Sequence, residues 1–572
     1  MPKKVIANGS VAEAFLQIMA DRGVDYLFGN AGTDFAPLIE AYSKLRAGGI
    51  KVPEPITCPH ENVAMAMAQG YYAMTGRPQW VMVHVNVGTA NAMCMLINAY
   101  RGNVPILFSA GRTPFSESST LMGSRSGEIH WPQEMFDQRA MAREVVKWDY
   151  ELPNAEVLET TVDRALNTAM SYPRGPIYLT LPREVLAGPV SNLSFDSPTR
   201  HAHASPPMPD PEAVARAAAM IAKAENPLII TASAGLDFED VDALGNLANR
   251  FAIPVTQRKP RYMCLGTDHP MNAGYNPDPM LDAADVIIVA DCDVPWIPSK
   301  KAPGDDCKII HLGADPLFEN YPIRGFPADI AITGVLKSTL RALDAALEAE
   351  ERGAQSRIEP RRKRIAALRE KQAEQRKAVL EKARTDSPIH PAWVSHCIDQ
   401  VKDDDAIVLK ESQLMHHHMT FKKPGTFFSL GYGGGLGWSL GTALGMKIAN
   451  RDRQVFCTTG DGAYMFGNPV SAHYVAAAEK LPVLFMVFNN SMWNAVRRNT
   501  REVYPDGFAA KSNWEPLTYF QPGTSYEKIA QVSDGYGEKV EDPAELPKAI
   551  DRAMNEIAKG RQAILNIVSR NG

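Results

Sequence analysis

Gly460-Asp461-Gly462-Ala463 closes the apolar run QVFCTT, and Asn490 stands 29 residues beyond Asp461 in PVLFMVFNNSMW. A carboxylate, an amide oxygen and a nearby main-chain carbonyl are hard oxygen donors suited to Mg2+, which completes its octahedron with phosphate oxygens. The glycines let backbone N–H groups approach a diphosphate, and a helix opening at this turn points its N-terminus at it. A lone Gly-Asp-Gly is often only a strand-to-helix turn. The pair Asn489-Asn490 at the end of the next apolar run favours the metal–diphosphate reading.

The elements that must position these residues are legible as ten short apolar runs bounded by turn residues: WVMVHV, PILFSAG, PIYLTLP, PLIITAS, DVIIVAD, KIIHLG, AIVLKE, QVFCTTGDG, PVLFMVFNN and QAILNIVS. Runs of this kind, apolar on both faces, belong to parallel sheets. Helical segments such as SVAEAFLQIMADRG and DPAELPKAIDRAMNEIAKG alternate with them, so the expected fold is α/β, with three doubly wound parallel-sheet domains. Pro/Ser-rich and highly charged stretches divide the 572 residues into 1–188, 208–345, a charged linker at 346–384, and 385–572. The basic run Arg361, Arg362, Lys363 and Arg364 has abundant Glu on either side and reads as a solvated linker helix. No internal repeat is visible.

Composition narrows the function. A hydrophobic content of 45%, a charged content of 22% and a net charge of −5 describe a globular chain with no basic domain for a nucleic-acid backbone. The seven cysteines are scattered, never in CxxC spacing and mostly within apolar runs, as buried thiols of a reduced compartment would be. There is no signal-peptide pattern and no apolar stretch of about 18 residues. The expectation is a soluble cytoplasmic protein that binds neither nucleic acid nor membrane.

The Gly-Asp-Gly and paired Asn resemble the motif of the thiamine diphosphate enzymes of the acetolactate synthase, pyruvate oxidase and benzoylformate decarboxylase group, with a slightly longer gap than usual. The resemblance implies Mg2+ ligation by Asp461, Asn490 and the carbonyl of Met492, with Gly462 and Ala463 at the diphosphate. It also gives a role to Glu61 in CPHENVAMAMAQGY, otherwise a favourable charge at a helix start. The matching Glu bonds N1′ of the cofactor's aminopyrimidine and favours the imino tautomer that deprotonates thiazolium C2. Gly431-Tyr432-Gly433-Gly434-Gly435-Leu436-Gly437-Trp438 is a poor dinucleotide loop, with Leu436 where a third Gly should stand and no clear strand before it. It looks like the family's GGLG segment, in which the Gly434 carbonyl holds the 4′-amino group and Leu436 wedges between the cofactor rings. Glu411, Ser412 and Gln413 end another strand, where the family contacts the diphosphate. His416, His417 and His418 cannot all face one ion; only His416 is kept as a possible substrate contact.

For the substrate pocket, WVMVHVNVGTANAM closely resembles the benzoylformate decarboxylase segment carrying the active-site His, here His84. A His ending a buried strand is otherwise a satisfied core residue; in the family it transfers protons at the substrate oxygen. FGNAGTDF is similar to that family's FGNPGS and puts Thr33 where a hydroxyl holds the substrate carboxylate, with Asp34 as an alternative pocket acid. The match extends to Trp493, Ala495, Val496 and Asn499 as pocket wall, followed by a Gly/Pro-rich lid at about 500–524. The resemblance implies a thiamine diphosphate- and Mg2+-dependent, non-oxidative decarboxylase of a 2-oxo acid, and the central segment shows no convincing FAD site. The resemblance further implies a dimer or tetramer whose sites are built between subunits. The alternatives are an acetolactate synthase-like carboligase or other carbon–carbon lyase, and, from another class, a non-catalytic cofactor-binding protein.

Overall fold

The computed structural model describes residues 3–118, 120–350, 355–431 and 433–570. All ten apolar runs are strands, distributed over three parallel sheets. In spatial order the first sheet is Glu54–Thr57, Tyr26–Asn30, Trp80–Val83, Leu107–Arg112, Ile177–Pro182 and Asp149–Glu151. The last is Phe427–Ser429, Ile407–Glu411, Val455–Gly460, Leu484–Asn489, Ala563–Val568 and Tyr536–Val540. Between them in sequence lies a five-stranded sheet, Val255–Gln257, Pro227–Thr231, Val286–Ala290, Lys308–Gly313 and Ile330–Thr333. The α/β, doubly wound class expected from the sequence is the one observed. The two six-stranded sheets also share one strand order, 2-1-3-4-6-5 when each is counted from its own first strand. This is a structural repeat that the sequence does not display.

Doubly wound sheets leave a crevice at their carboxyl edge where the strand order reverses. In the first sheet the residues following the three neighbouring strands there are Glu61, Thr33 with Asp34, and His84; in the last they are Ser412 with Gln413, Asp461, and Asn490. The register keeps the last two together, since Gly460 pairs with Phe488. The helices Glu61–Thr75 and Trp438–Ala449 tie the two sheets together. They are rich in Ala and Gly and buried along almost their whole length. A Cβ on Gly70 would stand 2.1 Å from the Thr442 carbonyl oxygen, and one on Gly445 would stand 2.0 Å from that of Met67, so only glycine permits this approach. His60 caps the first helix, its side chain accepting from the Asn62 N–H.

Three expectations are corrected. The stretch after 188 is not simply a break: Pro189–Asp196 pairs antiparallel with Lys3–Ser10. A strand does precede the glycine run, Phe427–Ser429, paired with Val408–Lys410 at the sheet edge. The helix Gln355–Ala383 is not solvated throughout. Arg361 is 3% exposed and donates to the carbonyls of Phe251 and Ala224, beside buried Ile358 and Ile365 in the core of the central sheet. Its guanidinium serves main-chain carbonyls at helix ends rather than solvent.

Candidate active site

On the first sheet, Asp34 and His84 meet. Asp34 Oδ1 lies 2.5 Å from His84 Nδ1, and Asp34 Oδ2 accepts from the Val85 N–H at 3.4 Å. Asp34 is 3% exposed. Its carboxylate, hydrogen-bonded to the ring, holds the imidazole above its usual pKa against the opposing effect of burial. The contact requires two small neighbours, because a Cβ on Gly32 would lie 2.0 Å from His84 Nδ1 and one on Gly111 would lie 1.7 Å from Asp34 Oδ2. Thr33, one residue before, is exposed; the side chain joined to His84 is the carboxylate.

The second ring nitrogen of His84 is met by Gln133, whose Nε2 lies 3.3 Å from His84 Nε2. Oε1 of Gln133 is buried without a hydrogen-bond partner. Rotating the amide exchanges donor for acceptor, so this side chain can satisfy either the neutral or the protonated imidazole. The Gln133 segment is clamped in place: its carbonyl accepts from Asn86 Nδ2, while neighbouring Glu134 accepts from Arg112 at 2.8 Å and Arg125 at 2.7 Å. Gln133 escaped the sequence reading because it lies outside any regular element and any motif. Glu61, 5% exposed at the helix start, accepts from Asn91 Nδ2 at 3.2 Å.

On the last sheet, Asp461 Oδ1 accepts from the Gly462 N–H at 2.9 Å, whereas Oδ2 is buried without a partner. Burial pushes this carboxyl up to about 6, opposed by the backbone N–H groups of Gly462, Ser491, Met492 and Asn490, which places the 490–492 turn at the carboxylate. Asn490 Oδ1 accepts from the Met492 N–H at 3.1 Å, and Asn489 is occupied by Asn566. An orphaned buried carboxylate oxygen beside an amide oxygen and a main-chain turn suits a hard cation. Among the described residues no group of three or more His, Cys, Asp and Glu offers a metal site, so any metal must rely on such a mixed donor set. Trp493 lies over the same turn: a Cβ on Gly462 would meet its ring at 2.3 Å, and the ring packs edge-on against Phe520. Ala495, Val496 and Asn499 follow as exposed residues of the helix Asn494–Val503.

The glycine turn between these regions is held from two sides. The Glu411 carboxylate accepts from the N–H groups of Gly437 and Ser439, both at 2.8 Å, and from the Ser439 hydroxyl at 2.7 Å. Burial pushes Glu411 up to about 7 despite these donors. Asn98, buried in the helix that begins after His84, donates to the Gly435 carbonyl at 2.7 Å and accepts from the Gly435 N–H at 3.0 Å. Gly434 has a φ of 73° and nothing near its open face, and Leu436 beside it is half-buried. Tyr432 lies outside the described residues. Ser412 bonds Thr458 and the Leu414 N–H, and Gln413 is half-buried beside it. His416 is sequestered instead between Lys410, Tyr275 and Phe427. The two sheets approach again where Asn468 Nδ2 lies 3.4 Å from His60 Nδ1. Among the described residues no hydrogen bond joins Glu61 or His84 to Asp461 or Asn490.

Comparison with known proteins gives this geometry a family. Residues 9–141 match the N-terminal TPP binding domain of thiamine pyrophosphate enzymes, 214–343 the central domain and 411–567 the C-terminal TPP binding domain. Benzoylformate decarboxylase of Pseudomonas aeruginosa is 26% identical over 512 residues, covering 85% of this chain and 87% of that one. The acetolactate synthase large subunit of Haemophilus influenzae is 25% identical over 574 residues, covering 96% and 92%. Among solved structures, benzoylformate decarboxylase of Polynucleobacter necessarius superposes with a TM-score of 0.79 at 20% identity, over 98% of this chain and 99% of that one. With all three domains matched in order, and a carboxyl-edge crevice on each outer sheet, the chain belongs to the thiamine pyrophosphate enzymes, a family of decarboxylases and carboligases.

Proposed function

We propose that the chain is a thiamine diphosphate- and Mg2+-dependent, non-oxidative decarboxylase of a small 2-oxo acid. The observation that carries this reading is the Asp34–His84 pair, a proton carrier anchored on the same sheet edge as Glu61. Asp461, Asn490 and the Met492 carbonyl would hold Mg2+; Ser412, Gln413, Gly462 and Ala463 would hold the diphosphate. Glu61, the Gly434 carbonyl and Leu436 would receive the aminopyrimidine end. When bound, thiamine diphosphate supplies a nucleophilic carbon and an electron sink for the electrons left by departing CO2.

The chain's own residues set up the rest. Glu61, buried and hydrogen-bonded by Asn91, holds a proton at the aminopyrimidine nitrogen. Thr33 offers a hydroxyl to the substrate carboxylate. His84, kept readily protonated by Asp34, delivers a proton to the substrate-derived oxygen or carbon and recovers it from solvent. Trp493, Ala495, Val496 and Asn499 form the wall around the side chain of the oxo acid. As the family resemblance implies, we place the complete site between two copies, as a dimer or a tetramer built from dimers. We divide the chain at 1–196, 208–345 and 385–572, extending the first unit past 188 because Pro189–Asp196 pairs with Lys3–Ser10, and with 346–384 joining the last two while packing on the central sheet.

A carboligase is the second reading, favoured by the acetolactate synthase relative that matches nearly the whole chain. Product analysis with an added aldehyde separates the two. Free aldehyde as the main product supports the decarboxylase, and diversion to a hydroxyketone with little free aldehyde supports the carboligase.

A further inference from the structure

Away from both sheet crevices a cavity of about 980 Å3 opens among three parts of the chain. One wall is the loop Thr267–Asn276 beside the edge strand Val255–Gln257. The second is the face of the long helix carrying Arg369, Arg376 and Leu380. The third is Met415–Thr420, directly after the Glu411–Gln413 turn. The cavity lies beside an edge of the central sheet, not at the carboxyl ends of its inner strands, and its size is that of a small-molecule site.

Three cationic side chains, Arg369, Arg376 and Lys377, and two imidazoles, His417 and His418, face it, against Asp268 and Glu370. Arg369 is already engaged by the carbonyls of His269 and Asn272. Among the described residues, no hydrogen bond or ion pair engages the guanidinium of Arg376, the imidazoles of His417 and His418, or the Tyr275 hydroxyl. The Tyr275 ring is edge-on to His416, 4.2 Å between centroids, and the His417 and His418 rings lie 4.7 Å apart, which fixes their positions. Met415, Met419, Leu380 and Ala373 supply an apolar floor. The Arg376 guanidinium beside the two imidazoles, on one side of a carbon-lined cavity, describes a receptor for an anionic head group on an apolar body. Burial and the charge of Arg376 also keep both imidazoles neutral, pushed down to about 4, a cost that an anion would relieve.

We propose that this cavity binds an amphiphilic organic anion, a carboxylate or phosphate monoester on a compact apolar body, with its head on Arg376, His417 and His418 and its body on Met415, Met419 and Leu380. The site is independent of the reacting one. Calorimetric titration of the protein saturated with thiamine diphosphate and Mg2+, using 3-phenylpropionate and phenyl phosphate as probes, tests it. Saturable binding of at least one probe at millimolar concentration is expected, and which probe binds identifies the head group. Arg376→Ala should weaken it about tenfold or more, the loss of one charge-assisted hydrogen-bonding partner. Arg376→Lys should keep part of it, and Ala373→Trp, on the exposed helix face, should block it by filling the cavity. His84→Ala should leave it unchanged, which separates this site from the reacting one. The proposal is overturned if neither probe binds, if binding survives both Arg376→Ala and Ala373→Trp, or if it is lost in His84→Ala alone.

Discussion

Asp34 Oδ1 stands 2.5 Å from Nδ1 of His84, and the two side chains come from the ends of neighbouring strands, 50 residues apart in sequence. The bond fixes the orientation of the ring and leaves its other nitrogen to Gln133 and the pocket. In Asp34→Asn the carboxylate that raises the His84 pKa is gone, so the imidazole should lose its proton at lower pH. Turnover should fall about a hundredfold, and the limb of the pH–rate profile that requires protonated His84 should move to lower pH. The stability contribution of the pair follows the same sign. It is fully present below the unfolded histidine value of about 6.5 and is lost as pH rises through the elevated folded value. NMR titration of the imidazole in both proteins checks the direction.

Gly32 and Gly111 are required by the same pair, because a Cβ at either would overlap His84 or Asp34. Gly32→Ala should displace the ring and lower turnover about a hundredfold, as expected for misplacement by an ångström. Metal-dependent affinity for thiamine diphosphate should stay within about twofold, since the donors for that step lie on the other sheet. Steady-state kinetics and calorimetry on the same preparation test the split.

Asn98 makes two buried hydrogen bonds to the backbone of Gly435. Asn98→Ala leaves a buried N–H and carbonyl unpaired, so a destabilisation of about 1–3 kcal/mol is expected. The turn carrying Gly434 and Leu436 should loosen with it. A lower melting temperature accompanied by weaker thiamine diphosphate binding is the predicted outcome; a melting change alone would argue that the turn does not hold the cofactor.

Of the strands that carry the site, Trp80–Val83, Ile407–Glu411, Val455–Gly460 and Leu484–Asn489 were legible as continuous apolar runs, a pattern that survives without any knowledge of neighbours. Tyr26–Asn30 and Glu54–Thr57, which lead to Asp34 and Glu61, were not, being partly exposed along their length. Nor were Asp149–Glu151 and Phe427–Ser429. They are three-residue edge strands, too short for periodicity to register. The shared order of the two outer sheets is also invisible in sequence, since strand order depends on long-range pairing and not on residue identity. Within the site, Glu61, His84, Asp461 and Asn490 stood out by motif. Gln133 and Asn98 act through hydrogen bonds between segments distant in sequence, one from an irregular stretch and one from inside a helix. The partnership of Asp34 with His84 needed the fold, because adjacency at a sheet edge brings together residues that no spacing rule connects.

Glu61 and Asp461 should separate binding from chemistry. Glu61→Gln removes the charged partner for the aminopyrimidine and should lower turnover at least about a hundredfold, with cofactor affinity changed by less than about tenfold. Asp461→Ala removes the buried carboxylate whose Oδ2 lacks a protein partner, and should abolish Mg2+-dependent cofactor binding itself. Calorimetric titration of thiamine diphosphate with and without Mg2+ distinguishes the two variants.

The most direct test of the decarboxylase reading is release of CO2 and aldehyde from a panel of aliphatic and aromatic 2-oxo acids by protein saturated with thiamine diphosphate and Mg2+. Stoichiometric release of both from at least one acid, abolished in His84→Ala with cofactor still bound, is the predicted result. No release from any acid by cofactor-loaded protein, or release undiminished in His84→Ala, would contradict the account.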